Sequence, residues 1–203
     1  VLALKKKDGG VVPIIGAPEM GKSVLAYRLA EILDKPTFAV SPEQKPPRWV
    51  KSVTLDEALN PIVVPKNSVL ILDDILLYAS SRDYRDPQVQ KLEKLIPVAR
   101  HQRKIMVIFC TQVSSLTDKN LFMGGIVFLK PPSILFEDTE RDGVRKLQKR
   151  CEDYWADKSE RWIHRHCYVI SHAFEGLAKI DMAKARKPII PSLEEDTLAE
   201  VSL

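Results

Sequence analysis

The chain has 203 residues, 45% hydrophobic, 29% charged and 7% aromatic, an ordinary globular balance with enough chain to bury a full core. No apolar run reaches the roughly 18 residues that a membrane-spanning helix requires, because the richest stretch, Ser68 to Ser80, is split by Asp73 and Asp74. The opening VLALKKKDGG has no apolar segment followed by a cleavage site, so no secretory signal is expected; three cysteines without a CxxC pair fit a reducing compartment, and a net charge of +4 permits a nucleic-acid partner without announcing one.

In chain order, Val11 to Ile15 is a short apolar run that ends at Gly16 and leads through a loop into a helical pattern from Lys22 to about Leu33. Leu25, Leu29 and Ile32 recur at helical spacing there, and Lys35-Pro36 ends the helix. Thr37 to Val40 predicts a second strand, and the proline-rich segment Ser41 to Val53 predicts irregular chain. Thr54 and Glu57 form a capping box that opens a short helix stopping at Asn60-Pro61. Val69 to Leu72 is a fully apolar strand that runs into Asp73-Asp74. After a polar loop, Asp86 and Pro87 open a helix that turns Val89, Leu92 and Ile96 inward and that Pro97 kinks or ends. Ile105 to Cys110 and Ile126 to Leu129 are further apolar strands, Glu140 to Ala156 is a charged helical pattern, and Tyr168 to Ile170 is a last strand. Strands buried on both faces and alternating with helices predict an α/β fold with a mainly parallel sheet. One domain is expected over 1–187, with a proline-punctuated acidic tail over 188–203.

Residues 16 to 23, GAPEMGKS, match the phosphate-loop pattern G-x-x-x-x-G-K-[ST]. Gly16 and Gly21 let the backbone curl so that its N–H groups face a β-phosphate, and the following helix adds its positive end. The cradle then comprises Gly16, Ala17, Pro18, Glu19, Met20, Gly21, Lys22, Ser23 and Val24. Lys22 would reach the β- and γ-phosphates, and Ser23 would offer its hydroxyl to Mg²⁺. A chance match would lack the apolar strand before the loop and the helix after it, and both are present. The strand VLILDD supplies the second half: Asp73 for the hydration shell of Mg²⁺ and Asp74 to polarise an attacking water. The bland alternative is that the two aspartates only start a loop. Gln112, at the end of the strand Ile105 to Cys110, can donate and accept, and so can sense a γ-phosphate; a turn cap is the competing role.

Taken together, the strand into GAPEMGKS, the strand VLILDD, then VARHQRKIMVIFCTQ and GGIVFLKPPS resemble the FtsK–HerA superfamily of DNA-pumping P-loop ATPases. Within it they resemble the genome-packaging ATPases of icosahedral viruses with internal membranes, the turreted archaeal viruses in particular. The resemblance covers about Val11 to Pro132. It implies a RecA-like core in which the Gln112 strand lies between the two phosphate-site strands. It also implies a ring, usually a hexamer, that hydrolyses ATP with Mg²⁺ and threads double-stranded DNA, working with capsid or membrane-vertex proteins in the cytoplasm of an infected host cell or on the virion. An arginine from the neighbouring subunit completes such sites; Arg100 is the first choice, with Arg82 and Arg85 as rivals. Asp74, where cellular relatives often carry Glu, is a departure from the pattern.

For DNA, Arg141, Arg145 and Lys149 fall on one helical face, against a plain solvated face interleaved with acids. Lys119 and Lys130 are alternative pore residues, and Lys5 to Lys7 is a solubilising start. His164, His166 and Cys167 lack the ligand spacing of structural zinc. Trp155 and Trp162 are expected in the core or at a subunit contact. The function expected first is an ATP-driven motor that packages double-stranded DNA into a viral capsid. The alternatives are a cellular or mobile-element translocase of the same superfamily, a P-loop small-molecule kinase and a non-catalytic nucleotide-gated scaffold. A phage-assembly ATPase resembling zonula occludens toxin is disfavoured because no membrane span is found.

Overall fold

Gly10–Ile15 (β1) is buried at all six positions, as expected of a central strand whose two faces are both covered. Residues 9–41, 45–60, 62–74, 87, 90, 104–112, 125–133 and 142–180 are described by the computed structural model. After β1 come α1 (Lys22–Leu33), β2 (Thr37–Val40), β3 (Lys51–Ser52), α2 (Leu55–Leu59) and β4 (Val69–Leu72). They are followed by β5 (Met106–Thr111), β6 (Ile126–Leu129), α3 (Asp142–Cys151), α4 (Glu160–His164), β7 (His166–Ser171) and β8 (Glu175–Lys179). The eight strands form one sheet in the order β3-β2-β4-β5-β1-β6-β7-β8. Strands β3 to β6 of that order pair in parallel, and β7 and β8 close the other end as antiparallel additions.

Side-chain alternation along the strands sorts the core into two layers. On one face Val12, Ile14, Val69, Ile71, Met106 and Ile108 pack with Leu25, Ala26 and Leu29 of α1. On the other, Leu70, Leu72, Val107 and Phe109 pack with Leu55 and Ala58 of α2. Each fully buried Val, Leu, Ile, Met or Phe side chain among them contributes about 1.5–3 kcal/mol by leaving water. A third cluster, Ile15, Leu129, Cys151, Trp155 and Tyr168, fastens α3 and its C-terminal turn to the β6–β7 side of the sheet.

The expected helix over α1, the strands β2, β4 and β6, and the Thr54–Glu57 capping box are found as read; the box makes both of its hydrogen bonds. Several boundaries move. The charged pattern from Glu140 is helical over Asp142–Cys151 and tightens into a 3₁₀ turn at Glu152–Tyr154. A two-residue strand, β3, interrupts the segment expected to be irregular, because Lys51 and Ser52 pair with Phe38 and Ala39. Two elements were not anticipated: α4, capped by the Ser159 side chain, and β8, whose EGLAK has weak strand propensity and is held by pairing along β7. The expected helix after Asp86 falls outside the described residues apart from 87 and 90, and the expected tail lies outside them altogether.

Candidate phosphate-binding site

The carboxyl ends of β1, β4, β5 and β6 meet at one edge of the sheet, where parallel α/β folds place their ligands. Register brings them level: Ile15 pairs with Thr111 and with Leu129, and Leu72 with Phe109. Gly16, Asp73, Gln112 and Lys130 are therefore the first residues past four strand ends. The Gln112 strand lies between the strands that lead to Gly16 and Asp73, as the resemblance implied.

From β1 the chain curls over the strand ends, with the Gly16 N–H donating to the Thr111 carbonyl at 3.2 Å and Ala17 N–H to the Pro131 carbonyl at 2.8 Å. A Cβ at Gly16 would collide with the Lys130 Cβ, so only glycine fits there. Gly21, at φ 76° and ψ 29°, turns the chain into α1 in the left-handed region that glycine enters without strain. Within this curl Lys22 is buried and its Nζ donates to the Ala17 carbonyl at 2.7 Å. Burial holds its pKa below the usual lysine range, opposed by the nearby negative charges, among them the carboxylates of Asp74 and Asp73.

Ser23 Oγ donates to Asp73 Oδ1 at 3.0 Å, joining the start of α1 to the end of β4. Asp73 is buried, and the Cys110 thiol, fully buried in β5, lies against it; burial and then the Asp73 charge push the thiol pKa well up, so it stays protonated. Asp74 follows at φ 50°, a left-handed conformation that Asp adopts far more readily than longer acids. Hydroxyl and carboxylate oxygens side by side beside a phosphate loop fit Mg²⁺, which takes few protein ligands and completes its shell with phosphate and water. Among the described residues no cluster of three or more His, Cys, Asp or Glu could hold a metal by itself.

The structure thus brings together Gly16, Ala17, Gly21, Lys22, Ser23, Asp73, Asp74 and Gln112. Pro18, Glu19 and Val24 are exposed and Met20 half-buried around the same loop. Arg100, Arg82, Arg85, Arg141 and Lys119 lie outside the described residues. Lys130 is not a pore residue: it is completely buried, because its strand end is covered by the phosphate loop and by α4. On α3, Arg145 pairs with Asp142 and Arg150 with Glu175, so part of that positive face is compensated within the chain. Trp155 is buried, with Trp162 packed against its cluster, and His166 stacks on Trp162 while Cys167 joins the opposite core layer. Sequence reasoning missed the contribution of Cys110, and misread Lys130; the signal for the latter is a lysine continuing the apolar run IVFL directly into Pro131-Pro132.

No protein-family model matches the chain, and no curated protein sequence matches it significantly. Solved structures do match it in fold. The B204 DNA-packaging ATPase of Sulfolobus turreted icosahedral virus superposes with a TM-score of 0.53 at 12% identity, over 85% of this chain and 98% of that one. The genome-packaging NTPase B204 of Sulfolobus turreted icosahedral virus 2, in complex with AMPPCP, gives 0.58 at 11% identity, over 87% and 100%. The N-terminal domain of zonular occludens toxin from Neisseria meningitidis gives 0.50 at 16% identity, over 85% and 95%. These likenesses show a RecA-like P-loop ATPase fold for this chain, and the resemblance read from the sequence holds at that level.

Proposed function

We propose that this chain is an ATP-hydrolysing motor of the FtsK–HerA kind that drives double-stranded DNA into a viral capsid. The observation that carries the reading is the Ser23–Asp73 hydrogen bond beside a buried Lys22, with Gln112 on the strand between them. The fold likeness to packaging ATPases of two turreted icosahedral viruses, over nearly their whole length, supports the cargo and the setting. The setting proposed is the infected host cell or its virions.

In this reading the loop N–H groups and Lys22 bind the polyphosphate, the ammonium exchanging its Ala17 carbonyl for phosphate oxygen. Ser23 and Asp73 would hold Mg²⁺, which neutralises charge on the β- and γ-oxygens. Asp74 accepts a proton from the water that attacks the γ-phosphorus, the bond to the bridging oxygen breaks, and ADP and phosphate leave. Gln112 senses whether the γ-phosphate is present. A neighbouring subunit in a ring, a hexamer in the first instance, contributes Arg100, or else Arg82 or Arg85, to the developing charge. DNA passes the basic side chains of Arg145 and Lys149, joined by Arg141.

Turnover assays on three proteins test the site. The native chain hydrolyses ATP with magnesium, Lys22→Ala neither binds nor turns over nucleotide, and Asp74→Ala binds within about threefold of native but turns over about 10²–10⁴-fold more slowly, the usual worth of a positioned base. Unchanged turnover in Asp74→Ala removes that residue's role. A native chain that binds ATP but never hydrolyses it points instead to a nucleotide-gated scaffold, and one that consumes ATP only with a small acceptor points to a kinase.

A further inference from the structure

Lys130 runs beneath the phosphate loop from its first glycine to its last. Its Cβ fills the space next to Gly16, and its Nζ lies 3.8 Å from where a Cβ on Gly21 would stand. Its main-chain N–H donates to the Ile15 carbonyl at 2.8 Å, and its own carbonyl accepts from the buried Gln148 side chain at 3.4 Å. The ammonium donates to the carbonyls of Ile163 and His164, at 2.8 and 3.1 Å, where α4 ends. The residue is 0% exposed. An ammonium taken from water costs several kcal/mol unless an anion accompanies it, and among the described residues no carboxylate pairs with this one. Two neutral carbonyls take two of its three donors, and the described residues supply no compensating negative charge. A buried cation without a counter-ion among the described residues, directly under a loop built to receive anions, suits an anionic ligand as its partner.

We propose that Lys130 is a positioning residue for the nucleotide, the floor of the phosphate loop: it braces the loop against the α4–β7 corner and adds a second positive charge to the cradle that receives the polyphosphate. The proposal deepens the phosphate-site reading and rests on it. Burial lowers the pKa of Lys130 to about 8, and the Lys22 charge adds to the shift. Among the described residues, the titratable groups that act on it are Cys167 on β7 and Lys22 at the start of α1. The Cys167 thiol, raised by burial to about 12, is neutral beside it.

Calorimetric titration with magnesium and AMPPCP separates charge from simple packing. Affinities are read at a temperature where circular dichroism shows each protein folded, so that a loss of stability alone does not move them. Lys130→Met, neutral and of similar length, is expected to bind about tenfold or more weakly, and Lys130→Arg, which keeps the charge, within about threefold of native. Native-like affinity in Lys130→Met, or an equal loss in both variants, overturns the proposal. If neither variant folds, the native protein decides: the Lys130 ammonium, followed by NMR, keeps its proton to higher pH with AMPPCP bound than without if the proposal holds, and a titration unchanged by AMPPCP overturns it. A native chain that does not bind AMPPCP at all fails the phosphate-site reading itself, a result distinct from any difference between variants.

Discussion

Ser23 and Asp73 lie 50 positions apart in sequence and share one hydrogen bond, and it is this contact that makes two motifs a site. Both atoms are hard oxygens, and the pairing predicts a magnesium-specific defect. In Ser23→Ala the gain in AMPPCP affinity on adding magnesium should shrink by about tenfold, while affinity measured in chelator changes little; an equal loss under both conditions would assign Ser23 to the loop's shape instead. Asp74 makes a second point at this scale. Its φ of 50° favours Asp over Glu on backbone grounds, so this departure from the pattern that the sequence resembles has a conformational cause. Lys22 and Ser23 were legible because the loop motif fixes their spacing. The burial of Lys130 was not, because it depends on α4 folding over a strand end from more than thirty residues away.

Among the described elements, the continuous apolar runs were read correctly, while β3, α4 and β8 were not. β4 is four consecutive apolar residues, all buried, and no helix that short would hide every side chain. β8, by contrast, has glycine and alanine where strands favour branched residues and exists through its ladder with β7. α2 is the clearest case of local control: Thr54 accepts from the Glu57 N–H at 3.2 Å while the Glu57 carboxylate accepts from the Thr54 N–H at 2.7 Å. Thr54→Ala should cost about 1 kcal/mol in denaturant unfolding. The Thr54 hydrogen bonds hold the Glu57 carboxyl below its usual pKa. A depressed folded-state value means that its stabilisation is present above the unfolded carboxylate pKa and is lost as pH falls through the folded one. Unfolding midpoints of native and Glu57→Ala, which removes the acceptor of the Thr54 N–H, should therefore approach each other in acid and separate near neutrality.

For the whole molecule, the sheet order decides what the site can do. Inserting the Gln112 strand between the strands that lead to the phosphate loop and to Asp73 places Gln112 near the centre of the sheet edge, where β6 and β7 continue the sheet on the side that α3 packs against. The modest charge of +4 per chain becomes a substantial field only when several copies surround one duplex, so the proposed motor must be an assembly before it is a DNA-binding protein. ATP turnover measured with and without duplex DNA, with mass determined by light scattering in the same samples, tests this most directly. Turnover that rises with duplex DNA as the mass reaches that of a ring is the predicted result. Turnover indifferent to DNA in a chain that stays monomeric with DNA and nucleotide present would contradict it.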